Sequence, residues 1–314
     1  MWNNIIEKIR YFVLYRYYNP ISKKALMSAI RILPPKEWCK INTSYITDMS
    51  ELFMDWNSEF GDISGWNTHY VEDMSFMFFG TKFNGDLSKW DVSHVKNMSN
   101  MFAVSTFNGD ISEWDTHMVE TMSSMFYDSE FNGDISKWDV SNVEDMCGMF
   151  GYSKFNKDIS RWDVSNVEDM SCMFIESDFN GDISRWNTRC VEDMTYMFYM
   201  SLFNKDISEW NISSVKHMSH MFERSDFNQD LSKWNLKHVE FKDNMFYGCH
   251  INKEYLPKNV NDDESFLGNS TTRFLSFSKI CEQQFCEGEI MTSFMKLRPV
   301  SPNVFNIDDY KLNP

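Results

Sequence analysis

Aspartates recur along the chain at a fixed interval of 24 residues: Asp62, Asp86, Asp110, Asp134, Asp158, Asp182, Asp206 and Asp230, followed by Glu254. If successive copies stack, these carboxylates stand one above another and repel. Two chemistries could hold such a row. Backbone N–H groups, or the hydroxyl two residues on (Ser64, Ser88, Ser112, Ser136 and onward), could donate to each carboxylate. Alternatively, Ca²⁺ could bridge successive copies through Asp86, Asp110, Asp134, Asp158, Asp182 and Asp206. One carboxylate per copy is thin for an ion that takes about six or more oxygens. The expectation is therefore hydrogen bonding, with no metal and no cofactor.

A second set of polar residues changes from copy to copy around a repeated tryptophan. The residue before it runs Gly65, Lys89, Glu113, Lys137, Arg161, Arg185, Glu209, Lys233. The residue after it alternates between Asp and Asn, as in Asp139, Asp163 and Asn187. The third residue after it runs His69, Ser93, His117, Ser141, Ser165, Arg189, Ser213, Lys237. In a repeat protein the constant positions build the scaffold and the variable ones are free to recognise. A basic row beside an acidic row suits a protein partner, and His117, Lys137, Asp139, Ser141, Arg161, Asp163, Arg185 and Arg189 are the candidate contacts. The competing reading is a set of solvated charges pairing across copies. The seven histidines offer no third ligand to His217 and His220, and His69 and His117 lie two copies apart. No Gly-rich phosphate loop or nucleophile–base order appears, so an enzyme is not expected.

What positions these residues is the repeat itself. Trp66, Trp90, Trp114, Trp138, Trp162, Trp186, Trp210 and Trp234 fall every 24 residues. With the Trp as position 0, position 5 is always Val (Val71 to Val239) and position 8 is Met from Met74 to Met218. Position 11 is Met (Met77 to Met245), position 12 Phe (Phe78 to Phe246), position 17 Phe (Phe83 to Phe227) and position 18 Asn (Asn84 to Asn252). An incomplete first unit, Ile46 to Phe53, matches positions 5 to 12. Apolar groups at positions 0 and 2 suit one face of a strand. Val, Met, Met and Phe at intervals of 3, 3 and 1 suit one or two helical turns. Asn-Gly-Asp is turn chemistry. Each unit thus reads as strand, bend, short helix, turn, and only stacking can bury its apolar face. The Trp and Met-Phe rows read as core, the Asn row as an amide ladder to neighbouring copies. Position 6, mostly Glu (Glu72, Glu120, Glu144, Glu168, Glu192, Glu240), reads with Asp at position 7 as an acidic outer face near helix N-termini.

The texts FNGDISKWDVSNVEDM (131–146) and FNKDISRWDVSNVEDM (155–170) resemble the repeat of the BspA-like surface proteins, an offshoot of leucine-rich repeats also found in large DNA viruses. The resemblance covers residues 46–257 and implies an α/β, right-handed, leucine-rich-repeat-like solenoid of parallel strands. It also implies a surface or adhesion role, so the alternative to an intracellular scaffold is a surface or virion adhesin that binds host glycan or protein.

Charge narrows the partners. The net charge is −16, which opposes nucleic acid. Residues 1–40 carry eight Lys/Arg against Glu7 and Glu37, a net of +6. They read as a helical N-terminal cap, Asn3 to Tyr18 and Ser22 to Ile32, or alternatively as a basic amphipathic anchor for an acidic membrane. Residues 41–257 read as the solenoid of about nine units, and 258–314 as a C-terminal cap and tail. Seven cysteines in no zinc or disulfide pattern point to reduced thiols. Tyr11 to Tyr15 is too short an apolar run, between Arg10 and Arg16, to read as a signal peptide. A cytoplasmic monomer is the expectation, with a virion or host cell as the alternative location.

Overall fold

The computed structural model describes residues 15–258. The chain divides into two compact units, Met1–Gly268 and Asn269–Pro314, and the described residues all fall in the first. All but the first residue of the cap and tail read over 258–314, and most of the first helix read in 1–40, lie outside them.

The repeats are stacked coils held in register by backbone hydrogen bonds. A single-residue parallel bridge joins each coil to the next at position 7: Asp48 to Asp73, then Asn97, Thr121, Asp145, Asp169, Asp193, His217 and Phe241. These bridges are the whole of the β pairing among the described residues.

The expected strand-plus-helix, leucine-rich-repeat-like unit is not what forms. Among the described residues the helical backbone is confined to residues 15–18, α1 (Lys23–Ile32) and two short 3₁₀ helices, Pro35–Lys40 and Lys253–Tyr255, and there is no sheet. The coil of Trp138 shows why. An α-helix needs each N–H to reach the carbonyl four residues back. Here the amides of Met146, Gly148, Phe150 and Tyr152 reach forward instead, to Asp169, Ser171, Met173 and Ile175 of the next coil, at 2.7–3.0 Å. The intervening amides close tight turns: Met149 to the Met146 carbonyl (3.2 Å) and Gly151 to that of Gly148 (3.0 Å). Gly148 and Tyr152 have φ of 64° and 55°. Positive φ at the third residue of a turn is type II geometry. Spacings of 3, 3 and 1 therefore mark inward corners of successive turns, which share the three-residue step of a helical stripe. The expected strand fares likewise: the Trp138 amide turns back to Ile135 (3.2 Å) and that of Val143 to Val140 (3.0 Å).

Left-handed backbone recurs at positions 10 and 14 of every coil. It is carried by Phe76, Asn100, Val104, Ser124, Asp128, Cys172 and Glu176 among others, with φ of 46–58° at these seven. A non-glycine residue there costs on the order of 1–3 kcal/mol. The inter-coil bonds of adjacent residues fix the conformation and offset that strain.

The core is a set of parallel columns. Val at position 5, Met at 8 and 11, and Phe at 12 and 17 are buried through the middle of the array. The position-12 rings stack coil on coil, Phe102–Phe126 at 5.8 Å and Phe150–Phe174 at 5.8 Å. Each also stacks on the position-17 ring of its own coil, as Phe150 does on Phe155 at 4.2 Å. The Trp side chains are 3–4% exposed. Each indole from Trp90 to Trp210 donates to the carbonyl three residues before the preceding Trp, for example Trp138 to Ile111 (3.0 Å) and Trp162 to Ile135 (3.1 Å). The indole of Trp234 lacks a partner among the described residues.

The first coil is covered by the preceding segment. Ser22 caps α1 by accepting the Ala25 amide (3.3 Å), and Leu33 closes it before Pro34-Pro35. Leu26, Ala29 and Ile30 on its inner face join the same core as Met49 and Phe53. Trp38 stacks on Phe53 at 5.6 Å. Its carbonyl accepts the Trp66 indole (3.0 Å), standing in for the coil that Trp66 lacks.

Candidate functional site

Every coil carries polar rows at its bends, and most of them turn out to be scaffold. In the Asp row at position 20, each carboxylate accepts from the serine two residues on. Asp86 takes the Ser88 amide (2.9 Å) and hydroxyl (2.7 Å), and Asp158 and Asp182 take the amides of Ser160 (2.9 Å) and Ser184 (3.0 Å). Asp110, Asp134 and Asp206 do the same with Ser112, Ser136 and Ser208. These bonds hold the carboxyls of Asp86, Asp110, Asp134, Asp158 and Asp182 below the usual range. Among the described residues, no group of three or more His, Cys, Asp or Glu side chains is arranged to hold a metal ion. The Asn row at position 18 forms the ladder its uniformity suggests. The Asn84 side-chain oxygen accepts the Asn108 amide (2.9 Å), and the pattern continues through Asn132, Asn156, Asn180, Asn204 and Asn228 to Asn252.

The same Asp-x-Ser turn appears at two further places. At position 1, Asp139 takes the Ser141 amide (3.0 Å) and hydroxyl (2.6 Å), and Asp163 the Ser165 amide (3.1 Å). At position 7, Asp169 takes the Ser171 amide (2.7 Å) and Asp145 the Cys147 amide (2.8 Å). These position-7 carboxylates sit at the bridged residues, half-buried and stacked on one another. Burial lifts Asp169 to about 6 against the pull of its Ser171 bonds, and the neighbouring Asp193 and Asp145 add to the rise. Burial raises Asp145 too. His217 ends the acidic run, its Nδ1 lying 3.2 Å from Asp193. The acidic face at helix N-termini expected for positions 6 and 7 is thus corrected. No helix starts there, and the position-7 carboxylates are drawn inward. The Asp-x-Ser text of Asp73 and Asp169, which matches that at position 20, is the signal that would have found the row.

The variable positions lie at the exposed bends flanking the Trp. Of the eight candidate contacts, His117, Lys137, Asp139, Arg161, Asp163, Arg185 and Arg189 are exposed and Ser141 is half-buried. Several have internal partners. The His117 ring meets Asp115 (2.8 Å) and Lys137 pairs with Glu113 one coil back. At the far end of the row, Lys233 likewise pairs with Glu209 one coil back (2.6 Å). Lys154–Glu130 (2.7 Å) and Lys216–Glu192 (2.6 Å) repeat this offset on other rows. Arg161 and Arg185 differ: among the described residues neither has a carboxylate within ion-pair distance. Arg161 has Lys137, and Arg185 has Arg161, at the position where the paired lysines find a glutamate.

Near the first of these rows, Asp91 is held to about 2. Partial burial opposes this, but hydrogen bonds from Ser93 and His69 outweigh it. The His69 ring lies 2.7 Å from Asp91 and packs edge-on against His94 at 4.5 Å.

No helix among the described residues is long and apolar enough to cross a membrane. Neither the curated proteins nor the solved structures searched contain a match to the chain. A family described as "Mycoplasma protein of unknown function, DUF285" matches three overlapping stretches, residues 27–129, 103–201 and 151–259. Those stretches take in α1 from Met27 onward, the first coil and the whole array of repeats, and the chain belongs to that family.

Proposed function

We propose that the chain is a non-enzymatic interaction scaffold whose protein partner docks on the bends that carry positions 23, 1 and 3. The observation behind this reading is the pair Arg161 and Arg185. On a molecule of net charge −16, two adjacent coils present guanidinium groups with no carboxylate within ion-pair distance among the described residues, while Lys137 and Lys233 of the same row each pair with a glutamate one coil back. The constant positions are consumed by inter-coil stitching, so recognition falls to the variable ones. Kinship with the BspA-like surface proteins, carried by residues 131–146 and 155–170, belongs to this reading because those repeats are displayed for binding.

The test is affinity capture from the native cell, with the wild type beside an Arg161→Glu/Arg185→Glu variant. A partner held by the wild type and lost by the variant supports the scaffold. The same partners captured by both would refute this face as the docking surface. Exposed charges contribute about 0–1 kcal/mol to folding, so thermal unfolding of the two proteins should nearly coincide.

A further inference from the structure

Resting on that reading, we infer that the partner presents an extended acidic segment, with carboxylates on alternate residues that engage Arg161 and Arg185 along the stacking direction.

The two arginines occupy the same position of consecutive coils, each directly before a buried Trp. Elsewhere in the array, Trp side chains of neighbouring coils are 6.2 Å apart (Trp114–Trp138) and 6.3 Å apart (Trp186–Trp210). An extended chain rises about 3.3 Å per residue, so side chains at i and i+2 project from one face about 6.6 Å apart. The separation of the Trp ring centroids, on the side of the coils that carries the arginines, nearly matches the strand repeat. A segment running parallel to the stack can therefore set one carboxylate over each guanidinium. Arginine suits this geometry better than lysine, because its planar fork binds a carboxylate through two parallel N–H···O bonds.

The neighbouring charges fit this assignment. Asp158 and Asp182, three residues before the arginines, accept first from Ser160 and Ser184, and the arginines add a smaller pull on their carboxyls without forming an ion pair. Position 19, glycine in Gly85, Gly109, Gly133 and Gly181, is lysine in Lys157 and Lys205, on either side of Arg185 in sequence. On these bends Lys157, Arg161, Arg185, Arg189 and Lys205 thus balance Asp158, Asp163, Asp182, Asp206 and Glu209, leaving a near-neutral stretch on a chain of net charge −16. The acidic remainder of the array opposes non-specific polyanions, yet screening limits that opposition to about 8 Å at physiological salt. A short segment seated on both arginines lies within this near-neutral stretch, and a long polyanion extends onto the acidic remainder.

The test uses the full chain and two isomeric peptides, one with glutamates at i and i+2 and the other with them at i and i+1. Binding is read from NMR shifts of the arginine Nε–H groups. The alternating peptide should bind about tenfold or more tightly than its isomer. It should lose that advantage with Arg161→Gln/Arg185→Gln, and retain only part of it with Arg161→Lys/Arg185→Lys. Equal affinity for both isomers, or an advantage that survives Arg→Gln, would overturn the inference. If the arginines are needed for capture from the cell while the isomers bind alike, the scaffold stands and the alternating acidic segment is wrong. The glutamine variants keep long polar side chains at exposed sites, and an unchanged melting curve separates loss of binding from loss of fold.

Discussion

The indole N–H of Trp162 donates to the carbonyl of Ile135, 3.1 Å away across the boundary between two coils. The ring is buried at 4% exposure, and the same bond recurs from Trp90 to Trp210. A side chain that packs inside its own coil thus also pins the coil before it.

Trp162→Ala should therefore be expensive twice over. Deleting the ring costs about 3–5 kcal/mol of packing, and the Ile135 carbonyl loses its donor. Because neighbouring interfaces couple in a stacked array, amide hydrogen exchange should accelerate in the coils on both sides. Protection lost in one coil alone would contradict that coupling.

Asp169 makes stability depend on pH. Its folded value of about 6 lies above the roughly 3.9 of an unfolded aspartate. Between those values the folded state holds more protons, so stability falls as pH rises from about 4 to about 6. The loss from this group is on the order of 2 kcal/mol, complete above the folded value. Asp169→Asn keeps an oxygen for the Ser171 amide and removes the charge, as Asn97 does natively at the same position. The variant should be more stable than wild type at pH 7 by about 1–2 kcal/mol, and the two should converge near pH 4. Urea titrations at both pH values check this, and an equal difference at each would count against it.

Val104 holds φ = 55°, a conformation that a β-branched side chain tolerates poorly. Glycine occupies the equivalent place at Gly80 and Gly248, with φ of 69° and 67°. Val104→Gly should raise stability by up to about 1 kcal/mol, with released strain exceeding the added chain entropy. Denaturant midpoints of the two proteins measure the sign directly, and a clear loss would show that the valine contributes packing worth more than its strain.

The position-20 aspartates take serine donors, so calcium has no evident work to do there. EDTA should leave the melting temperature unchanged. A large drop, restored by Ca²⁺ alone, would make Asp86 to Asp206 a metal row instead.

The register and the core were legible because each inward residue repeats without slippage: Val143, Met146, Met149 and Phe150 are buried as their constancy suggests. The Asn ladder was legible for the same reason, since Asn132 and Asn156 have no use for identity unless they bond each other's coil. The local conformation was not. Corners of consecutive turns fall three residues apart, as does one face of a helix, and the residues that distinguish the two cases gave little warning. Gly148 signals positive φ, but Phe76, Val104 and Cys172 adopt it against their own preference, because the next coil supplies the hydrogen bonds that hold it. In the candidate site, the lone status of Arg161 and Arg185 can be read by stepping back one unit from each. Glu113 stands behind Lys137, whereas a cation stands behind each arginine.

The amides of Met146, Gly148, Phe150 and Tyr152 point to the following coil, those of Glu144 and Glu168 point to the preceding one, and both sets recur from coil to coil. Heredity can exploit this. An in-frame recombination that deletes or duplicates one complete unit joins two surfaces that already match, with every donor again facing an acceptor. The array can therefore change length without passing through a misfolded intermediate genotype. Because Arg161 and Arg185 lie in neighbouring coils, such an event could also lengthen, shorten or erase the basic row in a single step. Specificity in this family would then evolve by whole modules as readily as by point substitution.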